Sequence, residues 1–63
     1  MRINMLVIER TSFRTVKIYY SSGEELARKI NDLCAKEIVE VKPATPDETT
    51  TKCCVSVYYE YYL

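Results

Sequence analysis

The residues that most often carry out chemistry in proteins are scarce in this sequence. Histidine is absent, and the three cysteines are Cys34, Cys53 and Cys54. Imidazole is the usual general base near neutral pH and the usual partner of a cysteine nucleophile. The cysteines also lack the C-x-x-C spacing of a zinc site. The sequence therefore predicts no catalytic residues, no metal site and no cofactor.

The cysteines are expected to be reduced. Their number is odd, and Cys53 and Cys54 are adjacent in a segment with strand-like alternation. Neighbouring residues of a strand point to opposite faces, so these two cysteines would need a strained vicinal bridge to pair. Reduced cysteines acting as small buried hydrophobes are typical of cytosolic proteins. The early apolar run, residues 5–8, is too short for a membrane span or a signal peptide, so a cytoplasmic location is expected.

Two adjacent acids, Glu24 and Glu25, are better explained by helix capping than by a catalytic carboxylate pair. Ser22 followed three residues later by Glu25 forms a capping box, and acids in the first turn complement the helix dipole. Apolar residues recur after it at three- and four-residue intervals, at Leu26, Ile30, Leu33 and Cys34. The pattern predicts a helix that begins at Ser22 and ends near Lys36-Glu37.

Four segments have the composition or alternation of strands. They are residues 3–8, 13–20, 38–42 and 52–63. A polar stretch at 9–12 is expected to turn the chain, and the polar segment 43–51 with its two prolines is expected to form a loop. The sequence thus predicts a single α+β domain over residues 1–63, a two-layer ββαββ sandwich with one helix on a four-stranded, mainly antiparallel sheet.

One helix can cover only one face of such a sheet. The other face then has no covering element in the chain, and Tyr19, Tyr58 and Tyr62 are expected to lie on it. A core in a chain of 63 residues is marginal, and chains this small usually gain stability from disulfides, a metal or a partner subunit. With the first two disfavoured, we expect a homodimer or larger homo-oligomer that forms through the sheet.

Charge is unevenly distributed although the formal net charge is zero. Residues 1–20 contain four basic residues and one acidic residue, which gives +3, and the remaining residues carry −3. Arg10, Arg14 and Lys17 in the first part could contact phosphates or an acidic surface of a second copy. Exposed tyrosines on a sheet can also stack on single-stranded bases, so nucleic-acid binding remains an alternative to protein binding.

Four short segments follow one another in a characteristic order: Thr-Val-Lys-Ile-Tyr-Tyr from Thr15, Glu-Glu-Leu-Ala-Arg-Lys-Ile-Asn from Glu24, Ile-Val-Glu-Val-Lys from Ile38 and Val-Ser-Val-Tyr-Tyr from Val55. In this order they resemble the small sporulation-associated proteins of Bacillus and their phage-borne relatives. The resemblance covers about three-quarters of the chain. It implies a β-α-β-β unit of unknown molecular role and a Bacillus or phage setting, and it transfers no site residues.

These features together favour a small non-catalytic protein-interaction module, homodimeric and cytoplasmic, without a role in membranes. In a phage setting, such a module is expected to inhibit a larger host protein or an anti-phage defence complex. Two alternatives stay open. One is a nucleic-acid-binding protein that uses the basic segment and the tyrosines, and the other is an oligomer that sequesters a small ligand between subunits.

Overall fold

The computed structural model describes residues 8–47 and 49–63, which form an α+β unit. Its elements are β1 (Thr11–Tyr20), α1 (Gly23–Asn31), β2 (Glu37–Pro43) and β3 (Cys53–Tyr62). The predicted α+β class is confirmed. The four-stranded sheet is not, because the described part of the chain contains three strands. Residues 3–7 of the predicted first strand lie outside the described residues, and Ile8 is not in a strand.

The last strand of the chain occupies the centre of the sheet. The order is β1-β3-β2, and β3 pairs antiparallel with both neighbours. The two edge strands therefore run parallel to each other, with α1 in the connection between them. Valines from all three strands align in one row, Val16 opposite Val57 and Val57 opposite Val41. A β-bulge interrupts the pairing of β2 with β3 between Ile38 and Glu40.

The start of α1 is as predicted, and its end is not. The Ser22 hydroxyl accepts a hydrogen bond from the Glu25 N–H at 3.2 Å, as in a capping box. The helix ends at Asn31 rather than near Lys36-Glu37. Cys34 has the left-handed φ of 53°, and the Lys36 N–H already donates to the Glu60 carbonyl at 2.8 Å. The chain must reverse early to bring β2 alongside β3.

The core lies between α1 and the centre of the sheet. Its buried side chains come from β1 and β3, and the apolar face of the helix packs against them. They are Ile18, Val55, Val57 and Tyr59, with Leu26, Ile30 and Leu33 from the helical side. The helix lies nearest to β1 and does not reach β2. In residues 8–47 and 49–63, no helix is long and apolar enough to cross a membrane.

Candidate interaction surface

The face of the sheet opposite α1, called here the helix-free face, carries three exposed aromatic side chains. Phe13 comes from β1, and Tyr58 and Tyr62 come from β3, all in the same alternating set of the antiparallel register. Their exposed fractions are 53%, 39% and 54% respectively. The rings of Phe13 and Tyr58 stack, with centroids 5.6 Å apart and planes inclined by 22°. We call these three residues the aromatic stripe.

An acid-base cluster fixes the strands at one end of the stripe. Glu60 lies between Tyr58 and Tyr62 in β3, and its carboxylate accepts a hydrogen bond from the Thr11 hydroxyl at 2.6 Å. Lys36 is 3.3 Å from the carboxylate of Glu9 and 3.9 Å from that of Glu60. The hydrogen bond to Glu9, followed by the charge of Glu60, raises the pKa of Lys36. The cluster therefore joins the first residue of β1 to the C-terminal part of β3.

The loop between β2 and β3 binds the opposite end of the helix-free face. The N–H of Asp47 donates to the Tyr19 hydroxyl at 2.7 Å. Lys17 donates to the Thr45 carbonyl at 2.8 Å and forms an ion pair with Asp47, whose hydrogen bond raises the pKa of Lys17. Tyr19 is half-buried and Cys54, opposite it in the register, is buried. The expectation that nothing in the chain covers this face is therefore wrong at this end.

The structure brings together some of the predicted site residues and separates others. Tyr58 and Tyr62 lie on the helix-free face, as expected, whereas Arg14 pairs with Tyr59 in the register of the face that carries α1. Arg10 precedes β1, and its carbonyl accepts a hydrogen bond from the Leu63 N–H at 2.9 Å. Phe13 was not among the predicted site residues. Its place in the same alternating set as Tyr19 was the signal that could have identified it.

A shallow depression lies beside Tyr58, between β1, β3 and β2. Its volume is about 260 Å³, and four polar or charged residues and one tyrosine line it: Thr15, Glu40, Lys42, Ser56 and Tyr58. Glu40 and Lys42, two residues apart in β2, form an ion pair along the strand at 3.6 Å. Since Lys17 and Lys42 are each paired with an acid, the positive charge of this face is largely neutralised. It offers hydroxyl groups and aromatic rings rather than a cationic surface.

Neither the cysteines nor the acids form a recognisable reactive or metal site. All three cysteines are free, with Cys34 and Cys53 exposed and Cys54 buried. Within the described ranges, no group of three or more cysteine, aspartate and glutamate side chains is placed to hold a metal ion. The aromatic stripe is thus the feature of the described residues with the clearest potential for recognition.

The comparisons add no relative from which a function could be transferred. No protein-family model matches the chain, and no curated protein and no solved structure matches it either. The resemblance to small sporulation-associated and phage-borne proteins stays a prediction. What this chain can bind is therefore inferred from its own surface.

Proposed function

We propose that this protein is a small non-catalytic interaction module that works as a homodimer and binds protein surfaces through its helix-free face. The main support for this proposal is the aromatic stripe, three large rings exposed on one face of the sheet, two of which stack. Phenylalanine and tyrosine both have a large apolar area, and tyrosine also has a polar hydroxyl at its tip. Aromatic residues are enriched in the centres of protein interfaces.

The small core supports the same proposal. Five side chains of the described residues are buried apolar groups, and a single core of a chain this short rarely supplies more than about 3–5 kcal/mol. Covering the aromatic stripe with a second copy would add apolar burial that the chain does not achieve alone. A partner that binds only the folded form also stabilises it by mass action.

Sedimentation of charge variants tests the proposal. Tyr58→Glu combined with Tyr62→Glu places two acids in the stripe, and we expect the sedimentation mass and the thermal stability to fall together. Desolvating an unpaired carboxylate is unfavourable by several kcal/mol. The matched control is Thr49→Glu with Thr51→Glu, which adds the same charge at exposed positions of the loop between β2 and β3. This control should leave both quantities unchanged.

Two results would contradict self-association through this face. One is a wild-type protein that sediments as a stable monomer at micromolar concentration. The other is an equal loss of mass in the loop control, because net charge rather than the stripe would then explain it. If the wild type is monomeric, the stripe would have to serve a foreign partner alone.

In addition to a second copy of itself, we propose that the module binds a larger cytoplasmic protein of the host and inhibits it. The support is the combination of small size, a neutral aromatic surface and the predicted phage setting. Affinity capture from a host lysate, followed by mass spectrometry, should recover a protein that the wild type and the loop control retain. The Tyr58→Glu, Tyr62→Glu variant should lose it.

Nucleic-acid binding is the second candidate, favoured by the stacked Phe13–Tyr58 pair, which resembles a platform for bases. The distribution of charge on this face disfavours nucleic-acid binding. Lys17 and Lys42 are paired with acids, and Arg14 lies on the other face, so a backbone crossing the stripe would meet little positive charge. Salt-dependent retention on single-stranded nucleic acid, abolished by the tyrosine substitutions, would favour this candidate instead.

A further inference from the structure

The outer side of β2 is an exposed strand edge. Within residues 8–47 and 49–63 no strand pairs with it, and α1 lies over β1 instead of β2. Val39 and Val41 are therefore exposed, at 49% and 44%. An edge strand presents unpaired backbone groups that can pair with another chain. Proteins usually protect such an edge, and here Pro43 and the bulge protect only its two ends.

The direction of the backbone groups follows from the pairing with β3. The Ala44 N–H donates to the Cys54 carbonyl, so Ala44 directs its backbone groups inward, toward β3. In an antiparallel ladder this direction alternates from residue to residue. Lys42 then also bonds inward, while Val41 and Pro43 direct their backbone groups outward. Pro43 has no N–H to leave unpaired, whereas Val41 presents both a donor and an acceptor at the edge.

The side chains of β2 select one way in which this edge pairs with a second copy. Two copies of β2 that pair antiparallel through their outward backbone groups are related by a two-fold axis. This axis can lie at Glu40, Val41 or Lys42. The first places Glu40 opposite its own copy, and the third places Lys42 opposite its own copy, so both juxtapose like charges, which destabilises a sheet. Centring on Val41 pairs the two valines and places each Glu40 opposite the other copy's Lys42.

We propose that two copies of this chain pair through β2, antiparallel and centred on Val41, to form one continuous sheet. The strand segment Glu40-Val41-Lys42 is self-complementary when two copies are antiparallel, so the occupant that fits the edge best is β2 itself. The paired valines would cover each other on the face that carries α1. The four charges would form two ion pairs on the helix-free face, beside the depression at Tyr58.

The inference rests on the proposed self-association but assigns it a second surface, separate from the aromatic stripe. This second isologous interface would join the proposed homodimers into a tetramer or a longer chain. Loss of the stripe should then leave dimers joined at β2, and loss of the β2 pairing should leave dimers joined at the stripe. The two proposals therefore fail separately.

Charge variants of β2 test the pairing by sedimentation at low ionic strength. Lys42→Glu leaves only acids at the two positions, and Glu40→Lys leaves only lysines. Each variant alone should self-associate about tenfold more weakly, because two opposite-charge pairs become two like-charge pairs. An equimolar mixture of the two variants should regain the assembly, since every acid then faces a lysine. Circular dichroism checks that each variant is folded.

The double variant Glu40→Lys with Lys42→Glu is the internal control, because it exchanges the charges and keeps the pairing complementary. It should assemble as the wild type does. The inference is overturned if Lys42→Glu assembles normally, if the mixture of the single variants fails to recover the assembly, or if the exchanged variant is as weak as the single ones. If the tyrosine double variant is monomeric and the β2 variants assemble normally, self-association through the stripe is supported and pairing through β2 is refuted.

Discussion

The row formed by Val16, Val57 and Val41 allows one substitution to be compared across the sheet. Val57, in the central strand, is fully buried, whereas Val41, its neighbour in β2, is 44% exposed. Val57→Ala removes apolar groups worth about 1.6 kcal/mol in transfer and leaves a cavity, so we expect a loss of about 2–3 kcal/mol. Val41→Ala should cost less than about 1 kcal/mol, because part of that surface is already in water.

Thermal and urea unfolding at low protein concentration measure the difference. In a domain of this size, each kcal/mol shifts Tm by about 4–8 °C, so Val57→Ala should lower Tm by about 8–24 °C. The preference of valine for strands mainly reflects its packing and burial, so the difference between the two variants measures how much more closely Val57 is packed than Val41. Equal losses at the two positions would refute the order β1-β3-β2 or the placement of α1 over β1.

Three further predictions concern the helix cap, the thiols and an ion pair. Ser22→Ala should destabilise the protein by about 0.5–2 kcal/mol in thermal melts, because the Glu25 N–H loses its acceptor; no loss would exclude the cap. A thiol reagent should find all three cysteines under denaturing, non-reducing conditions, and a count of one would indicate a vicinal bridge. The hydrogen bond from Lys29 lowers the pKa of Glu25 from 4.5. NMR titration of Lys29→Met should therefore give a higher pKa for Glu25 than in the wild type. The stabilisation is present above pH 4.5 and should fade as acid protonates Glu25; an unchanged pKa would contradict the pair.

Local signals in the sequence were enough to place most of the elements. The alternation from Cys53 onward predicted the last strand, and Ser22 with Glu25 predicted the start of the helix. Both signals are local: the cap is a contact over three residues, and the alternation is a pattern of residue types within the strand itself. The expectation that Tyr58 lies opposite the helix followed from the same alternation, because residues two apart share a face.

Features that depend on distant contacts were beyond the sequence patterns. The apolar spacing continued through Leu33 and Cys34, although the helix ends at Asn31, because the position of β2 beside β3 sets where the chain must turn. The attachment of the loop to Lys17 and Tyr19 joins residues 28 and 30 positions apart. No local sequence pattern in the loop or in β1 indicates this contact, so the partial cover of the helix-free face was not predicted.

The lengths of the elements explain why so much of this sheet lacks cover. A helix of nine residues is about 14 Å long, whereas a strand of ten residues extends about 33 Å. One such helix can therefore shield less than half the length of β3, and from its place over β1 it leaves β2 exposed. The described chain has only the loop at Lys17 and Tyr19 to place on the other face. In the described residues, exposed rings and the outer edge of β2 both stay open to water, and the proposed association through the aromatic stripe and β2 would cover both.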